Sequence, residues 1–230
     1  MTDNKRSPDF SAVLASSVHD MKNSIALLMQ SMEDVLKEIN QPDLPACRKM
    51  GQMLYETRRV SGNLMQLLTL YKMDKRLYPV EIAPCSIYEL FSEIAMQIEA
   101  QASLKNVELY VDCSPDLIWF VERDLLGSAV NTALNNAFRY AARKIGLVAG
   151  KENGVLVIRV EDDGPGYPDT LVGEVGEMST GVNFRTGSTG LGLRFAAMVA
   201  ALHRNKGRSG QVHLENGGTY GGGCFRIILP

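Results

Sequence analysis

The chain has 230 residues, of which 45% are hydrophobic and 22% are charged, and its formal net charge is -2. This balance suits one large globular domain or two small ones, and it gives no reason to expect binding to nucleic acid or to an anionic membrane. No apolar run approaches the roughly 18 residues of a membrane-spanning helix, and the polar N-terminus lacks the apolar core of a signal peptide. The four cysteines stand far apart, as expected for free thiols in a cytoplasmic protein.

The N-terminal third is predicted to be a helical hairpin. After a polar tail at residues 1–9, apolar residues alternate at spacings of four and three in two runs, which a loop containing Pro42 and Pro45 separates. Residues 10–78 should therefore form two long amphipathic helices, with an apolar seam too wide for an isolated pair. A homodimer that forms a four-helix bundle would bury this seam, and docking of the hairpin on the C-terminal domain is the alternative. The seam comprises Leu14, Val18, Met21, Ile25, Leu28, Met32, Val35 and Ile39, then Met50, Met53, Thr57, Val60, Leu64, Leu67 and Tyr71.

A proline-containing linker at residues 79–85 is predicted to separate the hairpin from a second domain at residues 86–230. Ser86, with Glu89 three residues later, is typical of a helix-capping box. The fold class is α+β, because the second domain should pack helices on one face of a mixed sheet. Periodicity predicts its helices at 86–104, 122–145 and 191–203, and its strands at 107–111, 117–121, 155–161, 211–215 and 224–229, the last two as a hairpin.

Two glycine turns follow the strand at 155–161 and precede the helix at 191–203. A strand that ends in a carboxylate followed by glycines can direct the carboxylate at a base and leave room for a ligand. A glycine turn at a helix N-terminus presents free N–H groups to phosphates. Either turn alone is more often a simple connection, but together they indicate the two ends of a nucleotide site. The turns are Asp162-Asp163-Gly164-Pro165-Gly166 and Ser188-Thr189-Gly190-Leu191-Gly192-Leu193.

The predicted helix at 122–145 carries a polar face made of Asn136, Arg139, Tyr140 and Arg143. An amide oxygen suits Mg²⁺, and guanidinium groups suit phosphates. Taken alone, a solvated polar face is the more common interpretation of such a helix.

The order of these motifs resembles the N, G1 and G2 boxes of sensor histidine kinases, and a segment of the hairpin resembles their phosphoacceptor H box. The resemblance covers nearly the whole chain and implies a histidine-phosphotransfer hairpin followed by a GHKL-type ATP-binding domain, an α/β sandwich of the Bergerat type. The matching segments are Val18-His19-Asp20-Met21-Lys22-Asn23, Asn136-Ala137-Phe138-Arg139-Tyr140, Asp162-Asp163-Gly164-Pro165-Gly166 and Thr189-Gly190-Leu191-Gly192-Leu193.

The resemblance implies roles in binding ATP. Asp162 would accept a hydrogen bond from the adenine amino group, and Gly164 and Gly166 would let the base approach. Asn136 would coordinate the Mg²⁺ that bridges the phosphates. Residues 167–189 would form a mobile lid over ATP. The other implied nucleotide-binding residues are Arg139, Tyr140, Thr189, Gly190, Leu191 and Gly192.

His19 would be the residue that receives the phosphoryl group. Its neutral imidazole would attack the γ-phosphorus, and Asp20 would accept from the other ring nitrogen and hold the tautomer. Asn23, one helical turn away, would position water for removing phosphate from a receiver domain. His203 and His213 are predicted to be structural or exposed, with His203 suited to be a cation at a helix C-terminus.

The sequence therefore predicts a two-component protein-histidine kinase. It would autophosphorylate His19 from Mg-ATP and pass the phosphoryl group to an aspartate of a response-regulator receiver domain, with phosphatase activity as a further expectation. The chain shows no sensor domain, so it is either a trimmed catalytic core or receives its signal from a separate sensor or regulatory protein. The alternatives are a histidine phosphotransfer protein, an ATP-binding regulator without autokinase activity, and an ATPase or serine kinase of the same superfamily.

Overall fold

The computed structural model describes residues 10–38, 44–75, 77–175 and 190–230. The chain divides into two compact units, Met1–Tyr78 and Pro79–Pro230, and this division falls where the predicted linker begins. Among the described residues, no helix combines the length and the apolarity that crossing a membrane requires. Three of the four cysteines are free thiols, as predicted: Cys85, Cys113 and Cys224.

The N-terminal unit contains two helices, α1 at Phe10–Glu38 and α2 at Leu44–Asp74. The two helices pack against each other, and Arg58 of α2 lies 3.0 Å from Glu33 of α1 in an ion pair. The residues between them, 39–43, lie outside the described part. The predicted pairing of two long amphipathic helices is therefore confirmed within one chain, while the predicted dimer stays a prediction.

The C-terminal unit contains a mixed six-stranded sheet in the order β2-β4-β5-β10-β9-β6. The strand β2 runs parallel to β4, and the other neighbours in this sheet are antiparallel. Two further pairs, β1–β3 and β7–β8, lie outside it. The elements are β1 Ala83–Ser86, α3 Ile87–Lys105, β2 Glu108–Cys113, β3 Ile118–Val121, α4 Arg123–Tyr140, β4 Lys144–Glu152, β5 Val155–Asp162, β6 Gly173–Glu174, α5 Leu191–Leu202, β7 Arg204–Asn205, β8 Arg208–Ser209, β9 Gln211–Asn216 and β10 Gly223–Leu229.

The core lies between one face of the sheet and the helices, because alternate residues of the central strands are apolar and fully buried. The helix α4 packs on β5, and α5 packs on β9 and β10. The opposite face carries a row of charges in which Arg226 pairs with Glu215 at 2.7 Å. The predicted architecture, helices on one face of a mixed sheet, is confirmed. The buried strand residues are Leu156, Ile158, Val160, Leu214, Phe225, Ile227 and Leu229.

The prediction of a helix from 122 to 145 is wrong beyond Tyr140. The backbone leaves the helical conformation at Ala141, where ψ is 141°. The next two N–H groups, of Ala142 and Arg143, donate to the carboxylate of Asp163 at 2.8 and 3.0 Å instead of continuing the helix. Arg143 therefore does not share a helix face with the other polar residues of α4.

Residues 144–152, predicted in part as helix, form the strand β4. A tight turn at Asn153 and Gly154, with φ values of 48° and 82°, joins β4 to β5. Asparagine followed by glycine favours such two-residue hairpin turns.

Part of the predicted linker is also regular structure. Residues 83–86 form β1, which pairs with β3 so that Cys85 lies opposite Trp119. The predicted helix cap is confirmed, since Ser86 Oγ accepts a hydrogen bond from the Glu89 N–H at 3.2 Å.

His203 is structural, as predicted, but the proposed cation is wrong. This residue is only 3% exposed. Its Nε2 accepts from the Glu122 N–H at 3.0 Å, and its Nδ1 lies 2.8 Å from the Val199 carbonyl, to which it donates in the neutral tautomer. Burial lowers the pKa of His203. The neutral ring therefore joins the C-terminus of α5 to the N-terminus of α4.

We expect acid to destabilise the C-terminal unit through His203. The unfolded chain takes up a proton on this imidazole near its ordinary pKa of about 6.5, whereas the buried ring, with its lowered pKa, takes one up only at lower pH. The free energy of unfolding should be fully retained above about pH 6.5 and fall below it, by up to about 1.4 kcal/mol per pH unit. Urea unfolding at about pH 8 and about pH 5.5, followed by fluorescence of the single tryptophan, Trp119, measures this loss.

The variant His203→Gln should lose less free energy of unfolding between the two pH values than the wild type. His213→Gln changes a half-buried histidine on β9 and serves as the control, which should retain the wild-type loss. Burial raises the pKa of Glu122, so this carboxyl group favours the folded state as the pH falls, opposite to the effect of His203. This effect is common to all three proteins. If His203→Gln and the wild type lose the same free energy of unfolding between the two pH values, His203 is not the source of the acid sensitivity.

Candidate functional site

The centre of the candidate site is Asp162, the last residue of β5. This residue is only 6% exposed. Oδ1 accepts hydrogen bonds from the N–H groups of Gly164 at 2.8 Å and Gly223 at 3.2 Å. Burial raises the pKa of Asp162, and the two hydrogen bonds oppose that rise. The side chain is therefore fixed in one orientation, and Oδ2 accepts from no other residue that the structure describes.

Glycines surround this carboxylate because backbone segments meet there too closely for side chains. A Cβ on Gly164 would lie 2.5 Å from the carbonyl oxygen of Tyr140 and 2.9 Å from Asp162 Oδ1. A Cβ on Gly222 would lie 2.5 Å from the carbonyl oxygen of Asp162, which the Gly222 N–H itself contacts at 3.0 Å. The turn after β5, the end of α4 and the loop before β10 thus converge on one point.

The structure brings the end of α4 to this turn. The contact runs through the Tyr140 backbone beside Gly164 and through the Asp163 carboxylate, which binds the N–H groups just after α4. Asn136 is half-buried in the same helix end. The guanidinium of Arg139 lies 5.5 Å from the centre of the Tyr140 ring, which is 47% exposed. Of the predicted phosphate-side residues, Tyr140 therefore contacts the Asp162 turn through its backbone, and Asn136 and Arg139 lie in the last turns of the same helix.

The other side of the turn is joined to the end of β9. Asn216 Oδ1 accepts from the Tyr167 N–H at 2.7 Å, and Asn216 Nδ2 donates to the Tyr167 carbonyl at 2.8 Å. Gly166, the residue before Tyr167, has a φ of 80°, a backbone conformation that favours glycine. Burial, and then the negative charge of Asp162, raise the pKa of Tyr167, so this phenol is neutral.

The second predicted turn forms the N-terminus of α5. Gly190 is the N-cap residue, with a φ of 63°, and its carbonyl accepts the first helical hydrogen bond, from the Arg194 N–H at 3.1 Å. Leu191 and Gly192 occupy the first turn, whose N–H groups have no helical acceptor. The described residues include no hydrogen bond between this turn and Asp162.

Part of the predicted nucleotide site lies outside the described residues. This applies to Thr189 and to most of the predicted lid, residues 176–189. The first part of that lid is described. It contains a short 3-10 turn at Asp169–Leu171 and the strand β6, which pairs with β9.

The predicted phosphoacceptor residues lie in the N-terminal unit. His19 and Asp20 belong to α1, and their side chains are outside the described part. The Asn23 side chain is exposed on the same helix.

The sequence did not predict the contacts of three residues of the site: Asp163 and Asn216, which bind neighbouring backbone, and Tyr167, which was assigned only to the lid. Asp163 was given no role of its own within the first glycine turn, although a second carboxylate before a glycine turn can cap a neighbouring backbone. Asn216 directly precedes two glycines, which is a signal for a turn that an asparagine side chain stabilises. Its actual partner lies 49 residues earlier, and no local pattern reveals it.

Residues 121–230 match the family model of the histidine kinase-, DNA gyrase B- and HSP90-like ATPases. The chain is 27% identical over 177 residues to a probable sensor histidine kinase of Mycobacterium tuberculosis, an alignment that covers 77% of this chain and 45% of the relative. It is 25% identical over 228 residues to the sensor histidine kinase RppB of Synechocystis, covering 94% and 48%. The chain thus spans less than half the length of these two curated relatives.

The fold is similar to solved histidine kinases. The full-length structure of ShkA in complex with AMPPNP aligns with a TM-score of 0.64 at 17% identity, over 95% of this chain and 45% of that one. This similarity confirms the fold that the motifs predicted, and the match to the family model covers residues 121–230.

We expect Gly164→Ala to destabilise the C-terminal unit, because the added methyl group would overlap the Tyr140 carbonyl. Such overpacking costs about 1–3 kcal/mol of unfolding free energy. Gly150→Ala on β4 is the matched control, since a Cβ there meets no atom within 4 Å, and it should change stability by less than about 0.5 kcal/mol. Equal stabilities of the two variants in urea unfolding would show that the approach at Gly164 is looser than the structure indicates.

Proposed function

We propose that this chain is an ATP-dependent protein-histidine kinase. It would comprise the catalytic core, in which residues 121–230 match the ATPase family named above. The observation that carries the proposal is the buried, oriented carboxylate of Asp162 in a turn walled by glycines. A kinase needs such a site to hold its nucleotide, whereas a protein that only relays phosphate between partners does not. The intact site therefore favours the kinase over a histidine phosphotransfer protein.

Asp162 is suited to adenine. With Oδ1 engaged by Gly164 and Gly223, Oδ2 can accept a hydrogen bond from the exocyclic amino group of the base. Guanine presents a carbonyl oxygen at the equivalent ring position and would be repelled by the carboxylate. Sites that pair a buried polar group with the ligand reject analogues that leave it unpaired.

The phosphates and Mg²⁺ are assigned to the other residues of the site. The N-terminus of α5 at Gly190–Gly192 offers N–H groups to an anion, and Arg139 offers a cation at the end of α4. Mg²⁺, carried by the phosphates, would take the amide oxygen of Asn136 as its protein ligand. The nucleotide analogue in the ShkA complex supports ATP as the ligand class of this fold.

His19 is the proposed phosphoacceptor. Its unprotonated ring nitrogen forms a bond to the γ-phosphorus while the bond from phosphorus to the bridging oxygen breaks and ADP leaves. Asp20 orients the ring and stabilises the positive charge that the attack creates. The phosphoryl group then passes from the histidine to an aspartate of a response-regulator receiver domain. Asn23, exposed one turn along α1, would position the water that hydrolyses the aspartyl phosphate of the receiver domain, which is the phosphatase activity.

The chain is proposed to act as a homodimer in the cytoplasm. Free thiols at Cys85 and Cys224 and the use of ATP favour that compartment. Dimerisation is supported by two exposed apolar rows at spacings of seven on the hairpin, each residue 44–52% exposed, which a second copy would cover. The rows are Met21, Leu28 and Val35 on α1, and Met53, Val60 and Leu67 on α2.

Charges placed in these rows should produce monomers. We expect the double variant Leu28→Glu, Val60→Glu to shift the mass measured by light scattering from dimer to monomer, because burying carboxylates in an apolar seam is costly. Leu27→Glu is the control: Leu27 is 71% exposed but lies outside the rows, and its variant should remain a dimer. A wild-type chain that is monomeric would contradict this part of the proposal.

Incubation with γ-labelled ATP and Mg²⁺ tests the kinase. The wild type should acquire label that is stable to alkali and labile to acid, as a phosphoramidate is. His19→Ala should bind nucleotide without acquiring label, and Asp162→Ala should fail to bind. Added receiver domain should remove the label from the wild type, and Asn23→Ala should dephosphorylate the receiver more slowly.

The alternatives predict other results. Nucleotide bound without label in the wild type would indicate a regulator, label retained in His19→Ala would indicate another kinase class, and absence of binding would leave the phosphotransfer protein.

A further inference from the structure

The side chain of Asn216 pairs with both backbone polar groups of Tyr167. Its Oδ1 accepts from the Tyr167 N–H at 2.7 Å, and its Nδ2 donates to the Tyr167 carbonyl at 2.8 Å. A primary amide presents an acceptor and a donor in one plane, so it can replace the backbone of a neighbouring strand. Two such bonds to one residue fix the position of that residue relative to the end of β9.

The approach of Asn216 depends on Gly166. A Cβ at Gly166 would lie 2.6 Å from Asn216 Oδ1, and the φ of 80° at this glycine turns the chain toward β9. The turn that begins at Asp162 is therefore closed at its far end by a residue from another strand. At its near end, Asp163 holds the backbone after α4.

The Tyr167 ring lies close to the Asp162 carboxylate and Gly223, whose surroundings we call the base pocket. A Cβ on Gly223 would lie 3.0 Å from both Tyr167 Cε2 and Asp162 Oδ2, which places the ring and the carboxylate against the same glycine. The negative charge of Asp162 contributes to the raised pKa of Tyr167, as expected for groups so close. The ring thus stands beside the carboxylate oxygen that we assign to adenine.

We propose that Asn216 is a positioning residue of the base pocket, which holds the Gly164–Gly166 turn and the Tyr167 ring in the arrangement that accepts adenine. The inference rests on the proposed function, because it takes the ligand at Asp162 to be adenine. Asn216 acts through Tyr167 and does not itself touch the nucleotide. The pocket is then formed before the nucleotide arrives, which avoids the cost of ordering it on binding.

Nucleotide binding to the full chain tests this inference, with AMPPNP as the adenine probe and its guanine counterpart, GMPPNP, as the comparison. Loss of both hydrogen bonds in Asn216→Ala should weaken AMPPNP binding about tenfold. GMPPNP binding should fall less, because guanine gains little from an ordered Asp162 pocket. Amide hydrogen exchange at Tyr167 should become faster. Asn205→Ala, at an exposed asparagine on β7, is the control and should bind AMPPNP as the wild type does.

The preference for adenine separates positioning from a general structural role. A variant that is merely less stable loses affinity for both nucleotides by the same factor, and that result would overturn the inference, as would unchanged AMPPNP affinity. If Asn216→Ala does not fold, Asn216→Ser, whose shorter side chain cannot reach both groups of Tyr167, should show the same loss of preference. A wild type that binds no AMPPNP would overturn the proposed function and this inference together, whereas a binding wild type with an equally selective variant would overturn only the inference.

Discussion

The structure of the C-terminal unit depends on one interaction, the acceptance of two backbone N–H groups by the buried carboxylate of Asp162. One N–H belongs to Gly164 in the adjoining turn and the other to Gly223, the first residue of β10. A buried carboxylate without such donors would be costly. By taking them, Asp162 joins two strands and a turn and at the same time becomes a rigid acceptor. The stabilising interaction and the proposed recognition of adenine therefore use the same side chain.

Two consecutive carboxylates divide the work around this turn. Successive side chains at a strand end point in opposite directions. Asp162 faces the base pocket, and Asp163 faces the N–H groups of Ala142 and Arg143, which directly follow α4. Because Asp163 ends α4 and fixes its last turn, the helix that carries Asn136 is placed relative to the base pocket. Neighbouring residues of one turn thus position both the proposed base pocket and the helix that carries Asn136.

The sequence predicted the parts of this account that rest on local patterns, namely the hairpin helices, the cap at Ser86, the turn after β5 and the N-terminus of α5. It failed where a residue that is distant in the sequence determines the local structure. The helix α4 stops at Tyr140 because Asp163 binds the following N–H groups, although the Asn153–Gly154 turn was a local sign of the missed β4. The cation proposed at His203 was wrong because the ring is buried between α4 and α5, and the pairing of Asn216 with Tyr167 has no signature in either segment.

The central claim is that the Asp162 turn is a preformed site for adenine. A crystal structure of the full chain with AMPPNP and Mg²⁺ tests it most directly. The account predicts that an Asp162 carboxylate oxygen lies about 2.9 Å from the exocyclic amino nitrogen of the base, with the Gly164, Gly223 and Asn216 hydrogen bonds unchanged. A base bound elsewhere, or a turn rebuilt around the nucleotide with those hydrogen bonds broken, would contradict it.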